Sequence, residues 1–481
     1  MLDLCAILAE PNGDFRELCM QMSPKTVLAE SELIEICRHT VPPAAAVCAR
    51  LSLLDWMGCV IAARHTPVAQ KMAQALARNG SAMGNDLLQI GVALCPSDAQ
   101  TAALALGTLG NVLEIDDLHR ASILHPGDTT CAAALAVALQ QQTSGEALLH
   151  AIARGYEAAV RIGTAVAAGG YTPFYNSGTC GVFGAAVAAA DLKGLDATGM
   201  ADALGQAGMQ AAGIWQCRLE PTFSKQLGCA HAARAGVLSA ELAAVGFTGA
   251  RAILTGDLGF FASYYPTADQ TALTAPGDWA ITQMSFKPFA ACRHTHPAIS
   301  AALDLRKDLA HDALARVDVY TYRAALDFCD APAPTTSQDA RFSLQHAVAT
   351  TLLNGAPAIS AFEGSALTDP ATSSLRARVH LHCDATYSNA FPKAYGARVR
   401  ITLKDGQTRD ATCPSAWGDP ENRMSTDDLT AKFHANAAYG GIDRTQSDAI
   451  MHAVMGLTGA NDLSVLKTAL ETALTLKLEF A

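Results

Sequence analysis

Charge is scarce in this 481-residue chain: Asp, Glu, Lys and Arg together make up 16%. The balance is acidic, with a formal net charge of -11, and no long basic run occurs. Phosphate backbones are held by clustered Lys and Arg, so a nucleic-acid partner is not expected. A small anionic substrate is compatible, because a local Lys/Arg/His pocket overrides the global sign. Aromatics are few, at 6%, while half the residues are hydrophobic. Abundant Ala and Gly suit closely packed helices better than a β-sandwich. No apolar run reaches the roughly 18 to 20 residues that span a bilayer, so no membrane partner is expected. The 14 Cys show no paired C-x-x-C spacing. Cys131, Cys180 and Cys229 lie in apolar helical patterns and read as small hydrophobes, reduced in a cytoplasmic protein. There is no G-x-x-x-x-G-K-[ST] loop, no strand-anchored G-x-G-x-x-G and no G-x-S-x-G elbow, so no cofactor is indicated. Asp3, Glu10, Asp14 and Glu17 argue against a signal or transit peptide, and residues 1–23 read as a loosely tied extension.

What is present is mostly helical. From Pro24 to Gly277 one helical pattern follows another. The stretch from Asp128 to Gln140 is broken at Thr143-Ser144-Gly145, and Ser144 caps the next helix. Asp196 is a second N-cap, and a helix over Ala230–Val245 ends at Gly246. Gly178, Gly181 and Gly184 lie in or beside Ala-rich helical sequence and read as helix-packing positions. The pattern changes after Lys287. Val317, Val319 and Thr321 alternate with polar residues as on a strand, as do Val399, Ile401 and Leu403 before the turn signal Asp405-Gly406. Helical patterns cover Pro297–Leu309 and Ser343–Leu353, and the chain turns helical again through Thr426–Ala437 and Asn461–Leu476. The fold class is therefore mainly α: a large helical domain from residues 24–286 and 424–481, with a smaller α+β domain, 287–423, inserted.

Chemistry concentrates in three places. Glu114, Asp116, Asp117, His119 and His125 lie between two apolar runs. Buried charge is costly unless paired, so such a cluster points to a working site. Asp116 and Asp117 face different ways in any regular structure, so one can point inward while the other caps. His119 and His125 are six apart, which is not a metal-ligand spacing, and no metal is expected. His125-Pro126-Gly127 leads into a helix, whose N-terminal N–H groups attract a carboxylate. The second place is Lys287 to His296, at the boundary between the two patterns. Lys287 and Arg293 are candidates for holding carboxylates, and His296 for a general acid or base. The third is Lys225, ahead of a very apolar helix, able to neutralise a carboxylate or move a proton. The structural alternatives are helix caps, a basic linker and a solvated lysine.

Taken in order and spacing, these segments resemble the MmgE/PrpD family from about residue 26 to 476. Its D-D-x-H…H-P-G pattern is met by Asp116, Asp117, His119, His125, Pro126 and Gly127. Its K-P-x-x-x-C-R-x-x-H pattern is met by Lys287, Pro288, Cys292, Arg293 and His296, and its Lys before an A-A-R-x-G helix by Lys225, Ala232, Ala233, Arg234 and Gly236. Gly246-Phe247-Thr248-Gly249 and Phe342-Ser343-Leu344 match two further signatures. The resemblance implies a helical domain with an α+β lid, a homodimer, and a cofactor-free site between the domains. It implies a lyase or isomerase acting on a small di- or tricarboxylate by proton transfer: a dehydratase, a decarboxylase or an epimerase. A non-catalytic carboxylate-binding paralogue is the alternative of another kind. The catalytic positions of the decarboxylase branch correspond to Glu114, Leu118, His125, Lys225 and His296. Leu118 stands where a hydroxyl-bearing residue is common, and Tyr175 and Gly228 stand where the family often has His. On this reading His125, His296, Lys225, Asp116 and Asp117 do the chemistry. Arg293, Lys287, His119, Glu114 and Tyr175 hold the substrate.

Overall fold

The computed structural model describes residues 24–77, 86–220, 222–307, 309 and 313–475. The extension expected over 1–23 lies outside the described residues.

The fold is mainly α, with one small sheet. The helices that matter most for the site are α1 (Pro24–Arg38), α2 (Pro43–Ala63), α3 (Ala99–Gly107), α4 (Gly127–Gln141), α5 (Gly145–Ala167), α6 (Gly181–Leu192), α7 (Ala197–Gly208) and α8 (Ser224–Ala244). Helix α6 packs on α4, α5, α7 and α8. Small residues allow this. A Cβ on Gly184 would stand 2.6 Å from the Gly155 carbonyl oxygen, and one on Gly155 would stand 2.6 Å from that of Gly184. No side chain fits between α5 and α6 there. The expected caps are present: Ser144 accepts from the Ala147 N–H at 3.1 Å and Asp196 from that of Gly199 at 2.8 Å. Helix α8 begins six residues earlier than its apolar pattern suggests, so Lys225 lies inside it.

Helix α2 corrects one expectation. It has 21 residues and a mean hydropathy of 1.6, so by length and composition it is long enough to cross a membrane. In the fold it is a core helix: 67% of its apolar window is buried. A helix apolar on all sides needs protein around it, and α2 finds it against α5 and the helix over Thr426–Tyr439. Its Asp55 is buried and meets Lys432 Nζ at 2.5 Å.

Beyond residue 292 come α9 (His296–Arg306), β1 (Leu314–Thr321), α10 (Leu344–Asn354), β2 (Val379–Cys383), β3 (Ala397–Leu403) and β4 (Thr408–Cys413). The strand order is β2-β1-β3-β4. β1 runs parallel to β2 and antiparallel to β3, which pairs antiparallel with β4 across the Asp405–Gly406 turn. Ala397, Val399, Ile401 and Leu403 point to the core while Arg398 and Arg400 do not, the alternation of a half-covered sheet. Helices α9 and α10 pack against this sheet and each other. The chain closes with α11 (Thr426–Tyr439), α12 (Arg444–Met455) and α13 (Ser464–Thr475).

One hydrophobic core joins residues between Leu33 and Met284 with residues between Phe433 and Leu474. A second runs from Cys292 to Cys413. A third, smaller cluster, including Ile115, Phe289, Ile299, Ala347 and Phe362, fills the seam between them. The candidate site lies along that seam.

Candidate active site

Backbone pairing brings the remote segments together. Leu118 and Ser285 exchange N–H···O bonds of 2.9 and 2.8 Å, and the Phe286 N–H reaches the Gly418 carbonyl at 2.9 Å. Lys432 of α11 donates to the Ile115 carbonyl at 2.7 Å. Segments near 115, 285, 418 and 432 are thereby fixed to one another, and α8 delivers Lys225 to the same place.

Glu114 is the pivot. It has φ of +54°, a conformation that a residue with a Cβ adopts at a cost of roughly 1–3 kcal/mol. In that pose its buried carboxylate pairs with Lys225 through Oε1 and approaches Lys287 Nζ at 3.5 Å through Oε2. Lys287 also donates to the Glu114 carbonyl at 3.2 Å and to Asp116 Oδ1 at 3.1 Å. Two ammoniums thus face two carboxylates. Burial pushes the Glu114 and Asp116 carboxyls up, but the neighbouring cations outweigh it and hold both below their ordinary values. Burial pushes the Lys225 ammonium down, and Glu114 and Asp116 outweigh it, keeping Lys225 charged.

His125 stands at the end of this chain of charges. Its Nδ1 lies 2.9 Å from the Asp117 carbonyl oxygen and 2.6 Å from Asp116 Oδ2. The aligned hydrogen bond is the one to the carbonyl; the carboxylate is an ion-pair neighbour beside it. Both oxygens only accept, so Nδ1 carries the proton and Nε2 is the basic nitrogen. Among the described residues no group bonds Nε2, and His125 lines the cleft. The His125 N–H is fixed by Ser177 Oγ at 3.0 Å.

Several expected roles are corrected. Asp117 points away from the cleft: it accepts from the Tyr156 hydroxyl at 2.8 Å and from the Gly127 N–H at 3.3 Å. Burial and the nearby Asp55 raise its pKa to about 8. It caps α4, so an N–H expected to attract substrate is already taken. His119 is bound to Ser122 Oγ at 3.0 Å in its own tight loop and lies off the cleft, and burial lowers its pKa to about 4. His296 is fully buried. Its Nε2 donates to the Ala291 carbonyl at 3.0 Å, and its Nδ1 accepts from Arg293 Nη1 at 3.2 Å. With both nitrogens spent, it has no lone pair or proton to offer a ligand. Arg293 borders the cleft, but its guanidinium pairs with Asp419 and donates to the Trp417 and Ala416 carbonyls at 3.1 and 3.3 Å. Lys287 is 1% exposed, donates to the Glu114 carbonyl and to Asp116, and has the Glu114 carboxylate 3.5 Å away. Both line the cleft with their charges turned to protein acceptors.

The motif reading passed over other wall residues. His294, two before His296, lines the cleft, with Nδ1 2.6 Å from the Tyr322 hydroxyl. Burial lowers its pKa to about 3, so it is a neutral imidazole. Trp215, Tyr171, Phe328, Phe342 and Tyr395 complete a largely aromatic wall. Only the low overall aromatic content, against which these residues stand out, could have flagged them. Tyr175 does line the cleft, stacked on Trp215 with ring centroids 4.5 Å apart. The cleft is tight, with about 80 Å³ of accessible space, and shares lining residues with an outer chamber of about 210 Å³.

A helical body, a small mixed sheet and a buried Glu/Lys/Asp/His chain thus meet at one cleft. Comparison with known proteins gives the family. The MmgE/PrpD N-terminal domain matches residues 34–272, and the MmgE/PrpD C-terminal domain matches residues 289–457. This chain belongs to the MmgE/PrpD family. It is 29% identical over 309 residues to the cis-aconitate decarboxylase of Homo sapiens, a stretch covering 62% of this chain and 63% of that enzyme. A cis-aconitate decarboxylase-like protein of Aspergillus oryzae is 26% identical over 449 residues, 86% of this chain and 90% of its own length. The cis-aconitate decarboxylase of Aspergillus terreus is 27% identical over 276 residues, covering 54% of this chain and 55% of that enzyme.

Proposed function

We propose that this protein is a cofactor-independent lyase that transfers a proton at the carbon next to a carboxylate of a small di- or tricarboxylate. The carrying observation is His125: Nδ1 anchored beside Asp116, Nε2 free toward a cleft that also holds Lys225. Lys225 takes the substrate carboxylate and stabilises the charge that develops on it, a fixed cation in a site shielded from water. His125 Nε2 gives or takes the proton. In a decarboxylation the bond to the departing CO2 breaks, its electron pair moves into the remaining acid, and protonated His125 delivers one proton to carbon.

Decarboxylation is favoured over epimerisation by the imidazole count. Epimerisation needs two bases on opposite faces, whereas His296 is spent internally and His294 has its two nitrogens beside the Tyr322 and Tyr171 hydroxyls at 2.6 and 3.4 Å, with burial leaving it a weak base. The same reading includes a helical domain built from both chain ends with the α+β unit inserted as a lid, supported by the core that residues 33–284 share with 433–474. It includes a homodimer and a cytoplasmic location, the latter supported by free thiols such as Cys37, Cys59 and Cys131.

The test is proton NMR in D2O with purified protein and a panel of carboxylates. Solvent deuterium entering a carbon-bound position, or product formation, is expected. His125→Gln is expected to slow it by about a hundredfold or more. Silence across the panel makes the protein a binding paralogue, and unchanged rates in a stable His125→Gln variant end the assignment.

A further inference from the structure

The cleft wall does not match a ligand that is charged at every arm. Six of the fifteen residues lining it are Phe, Tyr or Trp, in a chain where those types make up 6%. Leu118 and Ile123 add aliphatic surface. Tyr175 contributes its ring face: its hydroxyl is turned toward Asn111 Nδ2 at 3.5 Å and Cys229 Sγ at 3.3 Å. The ring fits because position 228 is Gly. A Cβ there would come within 3.2 Å of Tyr175 Cδ1. Tyr175 thus presents one flat apolar surface, packed beside Gly228 and stacked on Trp215.

The cations tell the same story. Lys287 and the two terminal nitrogens of Arg293 are engaged by protein acceptors, and Arg293 Nε is buried. Lys225 spends one donor on Glu114 and keeps two. At the mouth, Arg218 lies 3.8 Å over the Phe328 ring and donates to the Asp327 carbonyl at 3.4 Å; it makes no ion pair among the described residues. Trp215, Lys225, Phe328 and Phe342 line both the inner cleft and the outer chamber, and Arg218 lines the outer one. Elsewhere the outer chamber presents Glu220, Asp327 and Asp339. There is a cation for one carboxylate inside and one for a second at the mouth. A third carboxylate meets aromatic carbon or acidic side chains, where desolvating it is costly.

We infer that the substrate is a dicarboxylate carrying an aryl or branched-alkyl group where a tricarboxylate has its third acid arm. This rests on the lyase reading and sharpens its substrate. Three succinate-based probes isolate the point by changing one substituent: succinate, propane-1,2,3-tricarboxylate and 2-benzylsuccinate. Titration calorimetry on the full chain is expected to show 2-benzylsuccinate binding at least about tenfold tighter than succinate, the scale of burying one ring. The tricarboxylate is expected to bind no tighter than succinate. Phe328→Ala is expected to remove most of the benzyl advantage, read as the ratio of 2-benzylsuccinate to succinate affinity within the same variant. Phe328→Leu, which keeps an apolar side chain, serves if the alanine variant does not fold, and is expected to remove part of it. A tricarboxylate that binds tightest, or three equal affinities, overturns the inference. The lyase reading is judged separately, by deuterium incorporation and its dependence on His125.

Discussion

Asp116→Asn tests the charge chain most directly. The side chain is nearly isosteric, and it removes a carboxylate that lies 2.6 Å from His125 Nδ1 and 3.1 Å from Lys287 Nζ. In the native cluster Glu114 and Asp116 balance Lys225 and Lys287; the variant leaves one buried ammonium in excess. Breaking a buried pair by removing one partner costs about 3–5 kcal/mol. Lys287 keeps Glu114 at 3.5 Å and the Glu114 carbonyl, so the low end, about 3 kcal/mol, is expected. Urea unfolding followed by circular dichroism measures it. The same change removes the anion that supports His125 as it gains a proton, so deuterium exchange or turnover is expected to fall about a hundredfold or more. The double variant Asp116→Asn/Lys287→Met separates the two effects. It restores the charge balance, leaving Glu114 with Lys225. Stability is expected to recover to within about 1 kcal/mol of wild type while activity stays low, because buried pairs exchanged for neutral groups cost little. If the single variant is as stable as wild type, or the double variant no better than the single, the balanced-cluster account is refuted.

Two further predictions follow from the same neighbourhood and one from the scaffold. Asp117 has its folded pKa raised to about 8, above the unfolded value near 3.9. The folded state therefore holds the extra proton between those values, and stability falls as pH rises from about 4 to 8. Asp117→Asn has no such proton to lose, so urea unfolding midpoints at pH 5 and pH 8 are expected to differ less in the variant than in wild type; equal differences remove Asp117 from the account. Asp116 runs the other way. Its folded pKa is depressed, so its contribution is complete above the unfolded pKa and is lost as pH drops below about 4, which acid titration of wild type against Asp116→Asn would detect. Gly184→Val forces a branched side chain against the Gly155 carbonyl and is expected to cost at least about 3 kcal/mol in unfolding free energy, with near-wild-type stability excluding the close helix contact.

Much of the fold was legible because local chemistry repeated the tertiary arrangement. Ser144 and Asp196 cap helices from their own positions, and Val399, Ile401 and Leu403 alternate because one side of β3 is buried. β2 was not legible: Val379–Cys383 is short and gains its strand character from parallel pairing with β1, a partner about sixty residues away. Within the site, the residue types at 114–125, 225 and 287–296 were readable as chemistry. Their division of labour was not.

Composition and spacing alone determined a mainly helical chain with an inserted change of pattern, an acidic surface, and three clusters able to handle carboxylates. They did so because propensity, capping and alternation act over a few residues. Only the tertiary structure decided that His125 keeps a free nitrogen while His296 has none, that Asp116 serves the cleft and Asp117 a helix end, and that an aromatic wall faces Lys225. Each of those outcomes depends on which distant group occupies a lone pair or a donor, and sequence distance carries no record of that.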